Sequence, residues 1–177
     1  MNKQLITWAL EAGADKAFVL PTSEIPFDAG LRAFCEANRC GQFNRNYACP
    51  PAVGASDELI AQARSCQWAL VYQTISPLED SFDVEGMMDA ADQHKQLTRA
   101  LHEKLRNAGF DGLPLSVGGC SICPRCAKAD NLPCRFPLQR ISSLEAYCIN
   151  VSQLAEKCAM KYINGANTVT YFGAILF

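Results

Sequence analysis

Seven cysteines in two tight groups carry the chemistry that is most legible in this chain of 177 residues. Cys120, Cys123, Cys126 and Cys134 form a Cys-x2-Cys-x2-Cys-x7-Cys run, and Cys35, Cys40 and Cys49 form a Cys-x4-Cys-x8-Cys group that ends in Cys49-Pro50-Pro51. Four thiolates suit either one tetrahedral zinc ion or one cubane iron–sulfur cluster, and spacing helps to choose between them. A Cys-x2-Cys-x2-Cys ladder wraps three corners of a cubane, whereas zinc sites usually bring two separate Cys-x2-Cys pairs together. The expectation is an iron–sulfur cluster of the [4Fe-4S] type, one or two per chain, with zinc as the alternative. Gly118 and Gly119, just ahead of Cys120, permit the close backbone approach that amide-to-sulfur hydrogen bonds require.

The group of three leaves its fourth coordination position undetermined. A cysteine of the other group, a non-cysteine side chain or an exchangeable site on iron would each complete it. An open iron favours substrate chemistry by Lewis-acid action, while full ligation favours electron transfer or a structural role. The remaining cysteines keep step with apolar neighbours: Cys66 with Leu59 and Ala63, Cys148 with Leu144 and Val151, and Cys158 with Leu154 and Val151. They are expected on the apolar faces of helices as small hydrophobes. Cys148 is the first choice among them if a ligand is missing, because its stretch directly follows the group of four.

Cations gather around the thiolates. Segments 32–49 and 120–140 carry Arg32, Arg39, Arg45, Arg125, Lys128, Arg135 and Arg140 against only Glu36 and Asp130, a local charge of +5 within a chain of net charge -2. A thiolate-ligated cluster is an anion, so Arg39, Arg45, Arg125 and Arg135 are candidate cofactor-binding residues that tune it. The same patch could dock an acidic redox partner protein. Dispersed cations without interleaved aromatics give no case for nucleic acid. His94 and His102 lie roughly 12 Å apart along one helix, too far to share a metal.

The elements that must position these groups follow from pattern. Helices are predicted over 3–12, 28–36, 56–66, 85–108 and 151–161, and strands over 16–20, 68–75, 113–117 and 168–177. Ser142 with Glu145 reads as a capping box that starts a further helix. The segment 37–54 has no period and reads as a loop built around cysteines. The result is an α/β (α+β) fold with a sheet of about four strands, in one metal-binding domain over residues 1–177, with cysteine loops at 35–51 and 118–137.

Composition bounds the rest. Apolar residues make up 49% of the chain, enough for one core. The start, MNKQLITWALEAGADK, lacks a signal-peptide pattern, and no stretch approaches the roughly 20 apolar residues of a membrane span. A cytoplasmic location is expected, where disulfides are rare and dense cysteine points to metal or redox chemistry. Oligomeric state is not legible.

With these residues assembled, the chain resembles a family of small bacterial and archaeal proteins of unknown function, described as predicted metal-binding. The matching features are Cys35-x4-Cys40, Asn46 ahead of Cys49-Pro50-Pro51, Gly118-Gly119-Cys120-x2-Cys123-x2-Cys126, Cys134-Arg135-x-Pro137, Ser143-x-Glu145-Ala146 and the ending Val169-Thr170-Tyr171-Phe172-Gly173. Two departures are Gln42-Phe43-Asn44, where the family is closer to Asn-Tyr-Gly, and Cys148, where it tends to have glycine. The resemblance implies metal binding through the seven cysteines and supplies no reaction. The function expected is therefore electron transfer, or support of an anaerobic redox enzyme, by an iron–sulfur protein. A zinc-stabilised binding module and an enzyme with an open iron site are the alternatives.

Overall fold

In the computed structural model, which describes residues 2–177, helices cover both faces of one mixed sheet. Five strands, β1 (Lys16–Pro21), β2 (Trp68–Pro77), β3 (Leu113–Ser116), β4 (Ser142–Ser143) and β5 (Thr168–Leu176), lie in the order β1-β2-β5-β3-β4. All neighbours are antiparallel except β3 and β4, which are parallel. The long central pair runs from Ala69 opposite Leu176 to Pro77 opposite Thr168. Successive side chains on a strand point to opposite faces, so the apolar run of β2 feeds two cores. Ala69 and Val71 enter one core, and Leu70 and Tyr72 enter the other.

The second of these cores is closed by α1 (Asn2–Glu11) and α4 (Val84–Asn107), through Leu5, Ala9, Leu97, Leu101 and Leu105. Both helices end in the same way: Ala14 N–H reaches the Ala9 carbonyl and Phe110 N–H the Leu105 carbonyl, with Gly13 and Gly109 as the stops. Asp83 caps the start of α4 by accepting from Gly86 N–H at 2.8 Å. The opposite core holds α3 (Ser56–Arg64) and α5 (Val151–Lys157), with Leu59, Ala63, Leu154 and Ala155 packed on Leu115, Phe172 and Leu176.

A buried polar chain fixes β3 against α4 and β2. Tyr72 Oη donates to Thr98 Oγ1 at 2.8 Å, and Thr98 and Ser116 hydroxyls lie 2.9 Å apart. Ser116 ends β3, so this network anchors the strand that delivers Gly118-Gly119-Cys120. His94, one turn before Thr98, is 1% exposed and pairs Nδ1 with Thr74 Oγ1 at 2.8 Å. Its other ring nitrogen has no partner among the described residues.

The sheet has five strands where the sequence suggests about four. The extra strand is Ser142–Ser143, inside the stretch read as a helix start. Two residues offer no period-2 pattern, and their pairing with Leu115 and Ser116 is set wholly by the partner strand. Ser143, rather than Ser142, acts as the cap, accepting from Ala146 N–H at 3.1 Å. The element after this cap is a single 3-10 turn, Glu145–Tyr147, not a helix. The expected helix over 28–36 is likewise a 3-10 turn, Ala29–Leu31, followed by the short α2 (Arg32–Glu36). Among the described residues no helix is long and apolar enough to cross a membrane.

Candidate metal centre

Both cysteine groups sit where regular structure gives out. Cys35 lies on α2, and Cys40 and Cys49 lie in a chain of turns after it. Asn38 and Asn44 take the left-handed conformation in these turns, at φ 52° and 57°, which asparagine tolerates better than most residues. Pro50 is buried, its carbonyl accepts from Asn44 N–H at 2.8 Å, and the Pro50–Pro51 bond is cis. Cys120 leaves the end of β3, Cys126 precedes the 3-10 turn Ala127–Asp130, and Asn131 at φ 55° redirects the chain toward Cys134.

The fold brings the two loops together. Asn46, 3% exposed, donates from Nδ2 to the Cys120 carbonyl at 2.9 Å and accepts from Ala48 N–H at 3.0 Å. Tyr47 Oη donates to the Leu132 carbonyl at 2.9 Å, and Arg140 donates to the Tyr47 carbonyl at 3.3 Å. Gly118 and Gly119 serve this junction differently. Gly118 has φ +62°, open to glycine at little cost, whereas a Cβ on Gly119 would lie 2.8 Å from Asn46 Nδ2.

Two adjoining cavities result. Cys120, Cys123, Cys126 and Cys134 line a narrow one of about 20 Å³, walled by Tyr47, Ile122, Phe136, Arg135 and Arg140. Cys35, Cys40 and Cys49 line a roomy one of about 320 Å³, together with Phe43, Pro50, Ser143, Glu145 and Ala146. Gly119 and Gln42 border this second cavity and also an open groove of about 540 Å³ that runs past Cys120, Cys123 and Cys126 to Met88, Asp92 and Lys95 of α4. Among the described residues, no three Cys, His, Asp or Glu side chains are drawn as close together as a single bound ion requires. The thiols ring shared spaces instead.

Burial pushes the Cys49 thiol up to about 12, with Cys40, Cys35, Cys126 and Cys120 adding to the shift. Cys49 thus stands within electrostatic reach of both groups. Burial also raises Cys35; Arg32 opposes it, while Cys40, Glu145 and Cys148 reinforce it. Crowded thiols of this kind stay protonated until a cation arrives, and metal binding then releases their protons. The donor set therefore fits a metal or cluster: soft thiolates in number, held on loops, with one hard carboxylate among them.

The candidate arginines divide. Arg135 lines the four-cysteine cavity, and Arg45 and Arg125 line the groove. Arg39 is exposed beside Cys40 and lines neither cysteine cavity. Arg125 is already paired with Asp130 at 2.5 Å, and Lys95 with Asp92 at 3.1 Å, so part of the basic patch is neutralised within the chain. Arg140 lines the four-cysteine cavity, and Arg32 acts on the charge of Cys35.

A family model described as predicted metal-binding protein (DUF2284) matches residues 18–177. The chain belongs to this family. No curated protein and no solved structure matches it. The predicted metal-binding family accounts for the cysteine loops in kind and leaves the metal open. It also gives meaning to Cys148. That residue ends the turn Glu145–Tyr147 at φ 58°, a left-handed position where glycine fits without cost. Cys148 is fully buried, but on no helix face, and it lines neither cysteine cavity. Cys66 and Cys158 pack on the core of α3 and α5 as expected, each just beyond the helix end.

Glu145 lines the three-cysteine cavity and is a candidate that sequence reasoning missed. It is exposed by area while Leu144, Ala146 and Tyr147 around it are buried, so its free surface opens into the cavity it lines. Protein encloses it on the other sides, and that enclosure raises its pKa; the Ser143 hydroxyl works in the opposite direction. The one available signal is its place in Ser143-x-Glu145-Ala146, which also reads as capping.

Proposed function

We propose that this protein carries iron–sulfur clusters of the [4Fe-4S] type on its two cysteine groups and acts in electron transfer or as the accessory of an anaerobic redox enzyme. The observation that carries the reading is the 320 Å³ space ringed by Cys35, Cys40 and Cys49. One water occupies about 30 Å³ of liquid, so a lone ion would leave most of that space empty. A polynuclear cluster fits it. The Cys120-x2-Cys123-x2-Cys126 ladder supports a second cluster alongside, close enough for Cys49 to feel Cys120 and Cys126. Two adjacent centres make a relay, and Arg45 beside the groove, in no ion pair among the described residues, offers an acidic redox partner a place to dock. A reducing, cytoplasmic setting would keep all ten thiols available.

A second reading has its own support. The four-cysteine cavity, at about 20 Å³, has room for one ion as it stands. Zinc there would staple the two loops and leave redox chemistry to the other site.

Metal and acid-labile sulfide analysis of anaerobically purified protein tests both. Brown protein with equimolar iron and sulfide, bleached by dithionite and losing part of its iron in Cys134→Ser and the other part in Cys40→Ser, supports two clusters. Zinc that disappears only in Cys134→Ser, with iron that disappears only in Cys40→Ser, supports the mixed form. Colourless protein holding zinc alone after reconstitution with iron and sulfide overturns the iron–sulfur reading.

A further inference from the structure

The structure assigns Glu145 as the fourth ligand of the three-cysteine centre, a displaceable oxygen donor that makes this centre the ligand-binding one of the two. The inference rests on the cluster reading and adds to it which iron is open and to what.

Three observations converge on Glu145. First, it lines the same cavity as Cys35, Cys40 and Cys49, and among the described residues no other carboxylate, histidine or further cysteine does. Second, the rest of that wall is poor in partners for a negative charge: Phe43, Pro50 and Ala146 are apolar, and Gln42 and Ser143 are the other side chains with polar atoms. Among the described residues Glu145 makes no ion pair. Its partners are the Ser143 hydroxyl and its own backbone N–H, and its exposed area leaves the carboxylate able to take a metal. Third, Glu145 is held in place by a turn whose neighbours Leu144 and Tyr147 are anchored in the core. Ser143 caps its turn through Ala146 N–H, β4 ties Ser143 to Ser116, and Arg32 donates to the Ala146 carbonyl at 3.2 Å. The β3 strand that delivers Cys120 therefore also positions Glu145.

The chemistry follows from the ligand type. Thiolate binds iron of a cubane tightly, while a carboxylate is a harder ligand and exchanges more readily. A cluster held by three thiolates and Glu145 has one distinguishable iron. A small anionic or oxygen-donor molecule entering the 320 Å³ space displaces the carboxylate and binds that iron, with no change in oxidation state. Because the cluster takes up part of the space of about 320 Å³, the ligand admitted beside it is small. The four-cysteine centre has a thiolate for each ligand position, so it stays closed to added ligands although the open groove runs past Cys120, Cys123 and Cys126.

The test uses the reconstituted full-length chain, wild type against Glu145→Ala, Glu145→Gln and Glu145→Cys, with potassium cyanide as the probe. In the wild type, Mössbauer spectra should show one iron set apart from the thiolate-bound remainder, and cyanide should perturb the spectrum of one centre only. Glu145→Ala and Glu145→Gln should bind cyanide roughly tenfold more tightly, since no carboxylate competes. They should also shed one iron on mild oxidation and give the EPR signal of a three-iron cluster. Glu145→Cys should remove the distinct iron and the cyanide response together. Equal spectra and equal cyanide response in wild type and Glu145→Cys would overturn the assignment while leaving the cluster reading intact. Iron content unchanged by Cys40→Ser would overturn the assignment together with the cluster at the three-cysteine site. Protein holding only zinc would overturn both.

Discussion

The two cysteine cavities sit side by side, share the Gly119 junction, and differ in almost everything else. One is narrow, ringed by four thiols and two arginines, and has about 20 Å³ of space. The other is roomy, ringed by three thiols and a carboxylate with apolar walls, and has about 320 Å³. A complete thiolate set in a cationic surround suits holding charge or holding the fold. An incomplete set in a roomy, apolar space suits meeting a small molecule. The contrast lies in ligand count and wall chemistry, since open space also borders Cys120, Cys123 and Cys126 along the groove. Both sites rest on the same sheet end and the same Asn46 strut, so perturbations sort by whether they reach both cavities, one or neither.

The largest expected swing reaches both cavities alike, because it acts through the sheet beneath them. His94 is buried between β2 and β5, against Tyr72 and Tyr171, with ring centroids at 5.6 and 6.1 Å. Burial pushes its pKa down to about 4, helped by Lys95 on the same helix, and Asp15 lies on the same cavity wall. Since the folded value lies below the usual 6.5, the unfolded chain binds the extra proton first. Stability is therefore full above pH 6.5 and falls as pH drops toward 4, by roughly 3 kcal/mol from this group. Chemical denaturation from pH 7.5 to 4 should show this loss, and His94→Gln should flatten the curve by about that amount. An unchanged slope in His94→Gln would mean that acid acts through the cysteine loops instead, and the two cavities would then have to be compared at matched pH.

Next in size is the junction itself. Gly119→Ala places a methyl group 2.8 Å from Asn46 Nδ2 and 3.3 Å from Gln42 Oε1. Asn46 is buried and bonded at both ends of its amide, so it has little freedom to retreat. Overpacking of this kind costs about 1–3 kcal/mol. The sharper readout is metal content: the substitution should lower loading of both centres, whereas Gly118→Ala, with nothing within 4 Å and only its φ of +62° to strain, should be milder. If Gly119→Ala depleted one centre and spared the other, the shared strut would be the wrong account of how the cavities are joined.

Sequence spacing foresees much of this and misjudges part of it for physical reasons. Long periodic segments such as α4 and β5 are legible because their burial is continuous. The two cysteine groups are legible because thiols crowded this tightly, three of them at Cys-x2-Cys spacing, have few other uses. Strand β4 is hidden, since Ser142 and Ser143 carry no pattern of their own and are recruited by β3. Glu145 is hidden for a related reason: Ser-x-Glu serves equally as a capping signal, and only the tertiary placement of the turn against Cys35 separates the two uses. Arg39, next to Cys40 in sequence, lines neither cysteine cavity, because a neighbour along the chain need not face the same space. The relative openness of the two cavities is not legible at all, because it depends on where Phe43, Pro50 and Ala146 pack rather than on ligand spacing.

The smallest expected effect reaches neither cavity. Cys148 is the residue that sequence order favours for a missing ligand, and it is near enough to Cys35 to influence the thiol's charge. Yet its backbone sits at φ 58°, its side chain is fully buried, and it lines neither cysteine cavity. A non-glycine residue in the left-handed region costs about 1–2 kcal/mol, and removing a small buried side chain costs a similar amount in lost packing. The two nearly cancel, so Cys148→Gly should change stability by under about 1 kcal/mol and leave iron content, visible spectrum and cyanide response as in wild type. Loss of iron on that single substitution would place Cys148 in the three-cysteine centre, remove the need for Glu145 as its fourth ligand, and erase the contrast between a closed four-thiolate site and an open one.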